Sequence, residues 1–229
     1  MSLPRALLSW SSGKDSAWAL DVLRTRREVE VVGLLTTFNT AFARVAMHAV
    51  REELVWGQAS AVGLPLRAVP LPWPCPNESY EAAMDMALAD ARADGVSHIA
   101  FGDLLLADIR AYREERMRDA RMTPVFPLWG QDTAALARTM IDAGTGATVV
   151  CVDPRQLDPS FCGREFDIRF LADLPSGVDP CGENGEFHTF AWDGPAFQRP
   201  VPIRRGEVVE RDGFVFTDVL PVEFEPVPA

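Results

Sequence analysis

Lysine is almost absent from this chain. Of its 22 lysine and arginine residues, 21 are arginine and only Lys14 is lysine. A chain so biased would be expected to carry arginine at this position too, unless the position needs an ammonium group. Lysine offers a compact point charge on a flexible stem, whereas the planar guanidinium prefers fixed bidentate partners. Lys14 is therefore a candidate for staying in contact with a phosphate group while that group moves during a reaction.

Other features that the sequence lacks exclude whole classes of protein. No run of about 18 apolar residues is present, so we expect no membrane span. The N-terminus lacks a basic region followed by an apolar core, so we expect no secretory signal and a cytoplasmic protein. No C-x-x-C spacing occurs among the cysteines, which we expect to be free, buried thiols. They are Cys75, Cys151, Cys162 and Cys181.

Net positive charge is absent as well. The net charge is -11 and the isoelectric point is near 4.7, so the surface repels nucleic-acid phosphates and we expect no nucleic-acid partner. The arginines between residues 110 and 121 alternate with acidic residues, which is typical of a solvated helix with internal ion pairs. Arg110 and Arg113 lie closest to the candidate site and are candidates for phosphate or substrate contacts.

The order of elements predicts an α/β protein. At 229 residues the chain is long enough for one large domain, or one plus a small appendage. Predicted strands alternate with helices as far as residue 152, which favours a parallel, roughly five-stranded sheet with helices on both faces. The strands are expected at residues 5–9, 29–35, 66–71, 98–101, 125–128 and 147–152, and the helices at 16–26, 46–61, 77–93, 108–121 and 132–143.

Beyond Pro154 the pattern changes to turn-rich sequence. We expect one helix near residues 164–172 and β-strands at 187–192 and 208–219, with Asp212 and Gly213 at a hairpin turn. The predicted domains are therefore residues 1–153 and a smaller α+β unit, residues 154–229.

The segment around Lys14 has the features of a phosphate-binding turn. An apolar strand, a turn of small residues and a helix direct backbone N–H groups and the positive end of the helix dipole to one place. The serines add hydroxyl groups and the glycine permits close approach. It does not match the Walker-type loop, because Leu8 and Asp15 occupy positions that require glycine and Ser or Thr. A carboxylate beside phosphates implies a magnesium ion between them. The turn consists of Ser11, Ser12, Gly13, Lys14, Asp15 and Ser16.

This turn resembles the SGGKDS loop of the ATP pyrophosphatases, with Ser12 in place of the first glycine. The resemblance implies ATP cleavage between the α and β phosphates. It also implies that the strand preceding Gly102 and Asp103 lies beside the first strand, so that Asp103 would face the phosphate loop. Asp103 as a helix cap or turn residue is the alternative. Thr36 and Thr37 are candidates for the adenosine end, although simple β-propensity is the favoured explanation of both.

A second group of polar residues occupies positions 182–189. An extended strand would place Glu186 and His188 on one face, because side chains alternate along a strand. The group could be an acid–base and substrate-recognition cluster, a weakly indicated metal site, or an ordinary polar turn, which spacing alone favours. Its residues are Gly182, Glu183, Asn184, Gly185, Glu186, Phe187, His188 and Thr189.

This octet resembles the GEGGEFHT sequence of the diphthine–ammonia ligase family, with Asn184 at a glycine position. Further residues fall in the family's order and spacing, and they are Gly102, Asp103, Asp108, Ile109, Arg110, Arg113 and Pro127 to Trp129. The resemblance implies an ATP pyrophosphatase domain followed by a domain that helps to form the acceptor pocket. The arginine bias indicates a GC-rich genome, which is compatible with a bacterial member whose acceptor differs from the family's modified histidine.

The implied activity is an ATP-dependent ligase that adenylates an acceptor carboxylate and then amidates it with ammonia. The resemblance implies that Lys14 and magnesium neutralise the departing pyrophosphate, with Asp15 and Asp103 as metal or phosphate-orienting carboxylates. Contacts to the acceptor would come from Asp108, Arg110, Arg113, Glu183, Asn184, Glu186, His188 and Thr189.

The acceptor would be a small molecule or a modified protein side chain, and a homo-oligomer is compatible with the sequence. The alternatives are a tRNA-modifying enzyme with the same loop, which would need a basic face and working cysteines, and a non-catalytic adenine-nucleotide sensor.

Overall fold

The computed structural model of the chain describes residues 2–41, 44–45 and 50–222. Ten strands form two sheets, and the helices pack around them. The strands are β1 Arg5–Ser9, β2 Glu30–Asn39, β3 Arg44–Val45, β4 Leu66–Leu71, β5 His98–Ala100, β6 Thr123–Val125, β7 Gly146–Val152, β8 Phe187–Asp193, β9 Ile203–Arg211 and β10 Phe214–Pro221. The helices are α1 Lys14–Arg26, α2 Glu52–Val62, α3 Asn77–Ala93, α4 Ala107–Asp119, α5 Thr133–Asp142 and α6 Ile168–Asp173.

The first sheet is mostly parallel, as predicted. Strand β1 lies at its centre between β2 and β5, β4 pairs with β2 and β6 with β5, all in parallel, while the short β3 runs antiparallel to β2. Because the chain order reverses at β1, a crevice opens at the carboxyl ends of β1 and β5. The predicted neighbourhood of the phosphate turn and the segment after β5 is thereby confirmed.

The second sheet is antiparallel, in the order β8-β7-β10-β9. It contains β7, whose assignment to the parallel sheet was wrong. The sequence of β7 is apolar and β-branched, and both of its faces are buried, so that its composition suits a central strand of either sheet. The division into domains at residue 153 stays a prediction. Along the chain, the passage from the first sheet to the second occurs between α5 and β7.

Two local predictions shift. The strand expected at residues 125–128 lies at Thr123–Val125 and includes Pro124, which the backbone tolerates because β6 is an edge strand. The helix expected at residues 46–61 begins at Glu52, and residues 46–49 lie outside the described part. Asp132 caps α5 as expected, because its carboxylate accepts a hydrogen bond from the Ala135 N–H at 2.8 Å.

Buried apolar residues from both sheets form one continuous core around α1 and α2. Helix α1 contacts both β2 and β8, so its N-terminus lies where the two sheets meet. Among the described residues, none of the helices is both long enough and apolar enough to cross a bilayer.

Candidate active site

The turn between β1 and α1 is tight and fully polar. Ser11 donates from its hydroxyl to Ser16 Oγ at 3.2 Å, and Ser16 donates to the Gly13 carbonyl at 2.9 Å. No side chain caps α1 at Gly13. The hydroxyls and the start of the helix therefore surround one point at the carboxyl end of β1, which is the arrangement that anions favour.

Ser12 occupies the position where the resembled loop has glycine. Its φ is 71°, in the left-handed region that glycine adopts freely and other residues avoid. The side chain is buried, and its hydroxyl has no hydrogen-bond partner among the described residues. The turn thus keeps a backbone shape suited to glycine and accommodates serine at an energetic cost.

Lys14 lies at the base of this site and is only 1% exposed. Its ammonium contacts the Asp15 carboxylate at 2.9 Å and donates to the Cys181 carbonyl at 2.5 Å. The rings of Phe166 and Phe187 lie 5.3 and 5.5 Å away. Burial lowers the pKa of Lys14, but the negative groups around it, Asp15 above all, outweigh burial and raise the pKa above its usual value. The ammonium is therefore charged.

A buried glutamine clamps the turn to the second sheet. Gln58, on α2, is 0% exposed; its amide donates to the Ser12 carbonyl at 2.9 Å and to the Ala191 carbonyl at 2.5 Å. Its oxygen accepts from Trp10 Nε1 at 2.8 Å. Sequence reasoning missed Gln58, although a single amide in the otherwise apolar centre of α2 was the available signal.

The two sequence motifs touch directly. The Lys14 backbone N–H donates to Thr189 Oγ1 at 3.1 Å, across 175 residues of sequence. The Ala191 N–H donates to the Ser12 carbonyl at 2.9 Å. Strand β8 therefore positions the phosphate turn, and the cleft is shared by both parts of the chain.

The loop before β8 is organised around Glu186. The carboxylate of this residue is 2% exposed and accepts from the Asp179 N–H, the Asn184 N–H and Asn184 Nδ2 at 2.9, 2.9 and 3.0 Å. Gly182 has a φ of 73°, and a Cβ there would lie 2.6 Å from the Phe187 carbonyl oxygen. Asn184 is not among the residues with positive φ, so asparagine fits this glycine position of the family without strain.

Glu183 joins this loop to the end of β5. Its Oε1 accepts from the Leu104 and Leu105 N–H groups at 3.0 and 3.1 Å. Burial raises the pKa of its carboxyl. Nearby, Asp103 forms an ion pair with Arg113 at 2.6 Å. Gly102 lies so close to the turn that a Cβ would meet the Asp15 carbonyl at 3.2 Å.

These segments line a cleft of about 700 Å³. The predicted site residues on its wall are Ser11, Lys14, Asp15, Ser16, Gly102, Asp103, Arg113, Glu183, Asn184, His188 and Thr189. A second pocket, of about 310 Å³, contains Thr36 and Thr37 and shares Ser9, Ser11, Phe101 and Arg113 with the cleft. The two cavities therefore adjoin at the carboxyl end of β1.

Ser12, Gly13 and three further predicted residues, Glu186, Asp108 and Arg110, line neither cavity, while Thr36 lines the second pocket and also has a structural role. Glu186 is enclosed by its own loop. Asp108 is exposed in the first turn of α4. Arg110 pairs with Glu114 at 2.7 Å and stacks over the rings of Phe126 and Trp129. The Thr36 hydroxyl donates to the Trp10 carbonyl at 2.8 Å, so Thr36 also holds the end of β1 in place.

Comparison with known proteins agrees with this geometry. Residues 132–218 match the family described as diphthamide synthase C-terminal domain. The resemblance to the diphthine–ammonia ligase family is confirmed. The diphthine–ammonia ligase of Homo sapiens is 28% identical over 156 residues, which are 66% of this chain and 58% of that protein. That of Danio rerio is 31% identical over 137 residues, or 57% of this chain and 52% of that protein. The chain thus spans little more than half the length of these relatives.

The segment that matches the diphthamide synthase C-terminal domain contains α5, β7, α6, β8 and β9 whole and β10 as far as Asp218. It begins at the cap of α5, ahead of the strand where the antiparallel sheet starts. The cleft is therefore lined by this segment together with the turn of residues 11–16.

His188 and Cys181 are two of the ionisable groups of this segment that line the cleft. Burial, assisted by the charge of Lys14, lowers the pKa of His188 to about 4, while Glu186 opposes the shift; the imidazole is neutral at pH 7. Burial raises the pKa of Cys181 to about 12, so its thiol stays protonated. A protonated, buried thiol is a poor nucleophile, which disfavours the sulfur-transfer alternative.

The carboxylates of Asp15 and Asp103 were predicted to hold magnesium. Both line the cleft, although each is paired with a basic side chain. Among the described residues no group of three or more His, Cys, Asp or Glu side chains has the arrangement of a metal site. Magnesium commonly uses one or two protein carboxylates together with substrate phosphates and water, and the residues present fit that requirement.

Proposed function

We propose that the protein is an ATP-dependent carbon–nitrogen ligase that activates an acceptor carboxylate as an acyl-adenylate and amidates it with ammonia. One observation carries the proposal. The turn resembling the ATP pyrophosphatase loop is hydrogen-bonded to the strand of the diphthamide synthase C-terminal domain through Lys14 and Thr189. The nucleotide and acceptor sides of such a reaction would therefore share one cleft.

ATP would lie across the two adjoining cavities. Its phosphates would occupy the turn formed by residues 11–16, at the N-terminus of α1. Its adenosine would enter the pocket of about 310 Å³ beside Thr36 and Thr37, which has mainly apolar walls. The shared border at Ser9, Ser11, Phe101 and Arg113 makes a continuous path from one cavity to the other.

The charged residues would act on the leaving pyrophosphate. Lys14 carries a buried positive charge at the base of the turn, and Arg113 contributes a guanidinium on the opposite wall. Magnesium would neutralise phosphate charge, and Asp15 and Asp103 are the carboxylates that would hold it. Release of these carboxylates from Lys14 and Arg113 would free both cations for phosphate oxygens. Pre-organised charges of this kind supply about 3–4 kcal/mol each to the transition state.

The reaction would occur in two balanced steps. An acceptor carboxylate oxygen forms a bond to the α-phosphorus while the bond to the bridging oxygen breaks, which releases pyrophosphate. Ammonia then attacks the acyl carbon, loses a proton and displaces AMP, which leaves an amide. The neutral imidazole of His188, which lines the cleft, would accept that proton.

The remaining residues of the octet would position the acceptor side. Glu183 ties the loop to the segment after β5, and the contacts of Glu186 favour a positioning role over proton transfer. Asn184 and Thr189 line the cleft and would contact the acceptor or the turn. Asp108 and Arg110 lie outside the cleft, and we assign them no role in the reaction.

Product analysis tests the proposal. Purified protein is incubated with ATP, magnesium, ¹⁵N-ammonium and the small-molecule fraction of a cell extract, and nucleotides are separated by chromatography. We expect AMP and pyrophosphate in equal amounts, and a ¹⁵N-amide detected by mass spectrometry. Gln198→Leu, an exposed change away from the cleft, serves as the control. ADP as the product, or ATP that binds and stays intact, contradicts the proposal.

A further inference from the structure

Four arginines of this acidic protein gather around one groove. The groove has a volume of about 500 Å³ and lies between β3, the start of α2 and the hairpin of β9 and β10. We call it the arginine groove, defined by Arg44, Arg51, Arg204 and Arg211. Glu207 and Asp218 also line it, so its walls carry two more positive than negative charges. The net charge of the chain is -11, so this local excess of positive charge is opposite in sign to the charge of the protein as a whole.

A β-bulge puts two of these arginines on the same face. Arg204 and Arg211 are an odd number of residues apart in β9, so strict alternation would point them to opposite faces. The register of the hairpin pairs Thr217 with Val208 but Val219 with Arg205, which leaves one extra residue in β9. One inserted residue restores a common face. Gly206 lies at this bulge, and its missing side chain leaves room for Asp218, whose Cβ would be 3.2 Å from a Cβ there.

The positive charge of the groove is only partly neutralised. Asp218 pairs with both Arg44 and Arg51, at 3.1 and 2.7 Å. Arg211 stacks on the Phe216 ring at 5.1 Å and reaches Asp212 only at 3.9 Å. Within the described ranges, no acidic side chain forms an ion pair with Arg204. The groove therefore retains guanidinium groups that can receive an anion.

An apolar pocket connects this groove with the nucleotide cleft. It has a volume of about 410 Å³ and shares Arg44, Arg211 and Phe216 with the arginine groove. It shares His188 and Phe214 with the cleft. Leu71, Pro72 and Trp73 also line it, as does Asp212 at the end near the arginines, and Trp73 is 62% exposed. The three cavities thus follow one another from the phosphate turn, past His188, to the arginines.

We propose that this series of cavities selects the acceptor, which is a small carboxylic acid with an apolar middle and a second anionic group. Its reacting carboxylate lies beside His188, its apolar part contacts Trp73 and Phe214, and its second anion is held by the arginine groove. Cavities of this size are typical of sites for small molecules, and guanidinium groups suit carboxylate or phosphate oxygens. The assignment to an acceptor rests on the proposed ligase function.

A pair of dyes tests the assignment. The probe is 8-anilinonaphthalene-1-sulfonate, which combines an aromatic body with one anion, and its neutral counterpart is N-phenyl-1-naphthylamine. Fluorescence titration measures the affinity of each dye for the intact protein, the variant Arg204→Gln and the matched variant Arg205→Gln. Arg205 is the neighbouring residue of the same strand, but it pairs with Glu165 and faces the other side of the sheet. Each variant removes one positive charge, so the two differ only in the face from which the charge is lost.

We expect Arg204→Gln to weaken binding of the sulfonate about fivefold and Arg205→Gln to change it less than about twofold, with neither altering the neutral dye. Trp73→Ala should weaken both dyes. Equal sulfonate affinity for the two arginine variants, or no effect of Trp73→Ala on either dye, overturns the inference. The dye result is independent of turnover, so failure to form AMP would contradict the proposed function alone.

Discussion

The buried amide of Gln58 offers a sharp test of how the phosphate turn is held. Replacing it by leucine keeps a similar volume but removes both donors and the acceptor. The Ser12 carbonyl keeps the Ala191 N–H as a partner, whereas the Trp10 indole N–H, which is buried, loses the Gln58 oxygen at 2.8 Å. The Ala191 carbonyl loses a bond of 2.5 Å.

Each buried polar group left without a partner costs about 1–3 kcal/mol. Gln58→Leu should therefore lower the free energy of unfolding by about 2–4 kcal/mol. We also expect AMP formation to fall at least about tenfold, because a displacement of the turn weakens transition-state contacts and about 1.4 kcal/mol corresponds to a factor of ten.

Urea denaturation followed by circular dichroism measures the stability change, and AMP release at saturating ATP measures the activity. Gln198→Leu is the matched control, since its side chain is exposed and surface changes usually stay within about 0.5 kcal/mol. If Gln58→Leu is no less stable than Gln198→Leu, the amide does not clamp the turn and the reasoning is refuted.

Four further outcomes follow from the site. Ser12→Gly should raise the free energy of unfolding by about 0.5–1 kcal/mol, because relief of the left-handed backbone and of the unpartnered hydroxyl exceeds the added chain entropy of glycine; an unchanged or lower melting temperature contradicts this. His188 has a folded pKa of about 4 against about 6.5 when unfolded. As the pH falls, the unfolded chain therefore binds the proton before the folded protein does, and the free energy of unfolding should fall by about 2 kcal/mol between pH 7 and pH 5. If urea titrations show an equal fall for His188→Asn, the loss of stability does not come from His188. Lys14→Met should reduce AMP formation by about a hundred- to a thousandfold, and near-normal turnover in the nucleotide assay would remove Lys14 from the mechanism. Glu186→Gln should cost about 1–3 kcal/mol, because an amide N–H₂ faces N–H groups that need an acceptor; a thermal melt identical to that of the unaltered protein would mean that the loop does not depend on the carboxylate.

Much of the first sheet was predictable because its signals are local. The strand at Arg5–Ser9 and the cap at Asp132 depend on apolar patterns and capping chemistry that act over a few residues. The turn of residues 11–16 was also predicted as the connection between a strand and a helix, and its binding of phosphate stays a prediction. Strand β7 was assigned to the wrong sheet, because a strand buried on both faces carries no mark of its partners.

Many of the predicted site residues line one cleft, but their contacts could not be read from the sequence. Nothing near residues 186–188 in the sequence indicates that Glu186 turns into its own loop while His188 faces the cleft. Arg110 and Arg113 were proposed on equal terms, yet Arg113 lies on the wall of the cleft and Arg110 stacks on aromatic rings. Gln58 was missed because each of its three partners lies at least 46 residues away from it along the chain.

The amino-acid sequence by itself determined the alternation of strands and helices, the turn of residues 11–16 with its single lysine, and the resemblance of residues 182–189 to the diphthine–ammonia ligase family, since these depend on residue identity and short-range order. Only the tertiary structure decided that β8 holds the turn, that Gln58 clamps it, and that a bulge aligns Arg204 with Arg211. Those outcomes depend on how distant segments of the chain pack together. Packing brings hydrogen-bond donors, acceptors and charged groups into contact, and their separation along the sequence does not indicate their distance in space.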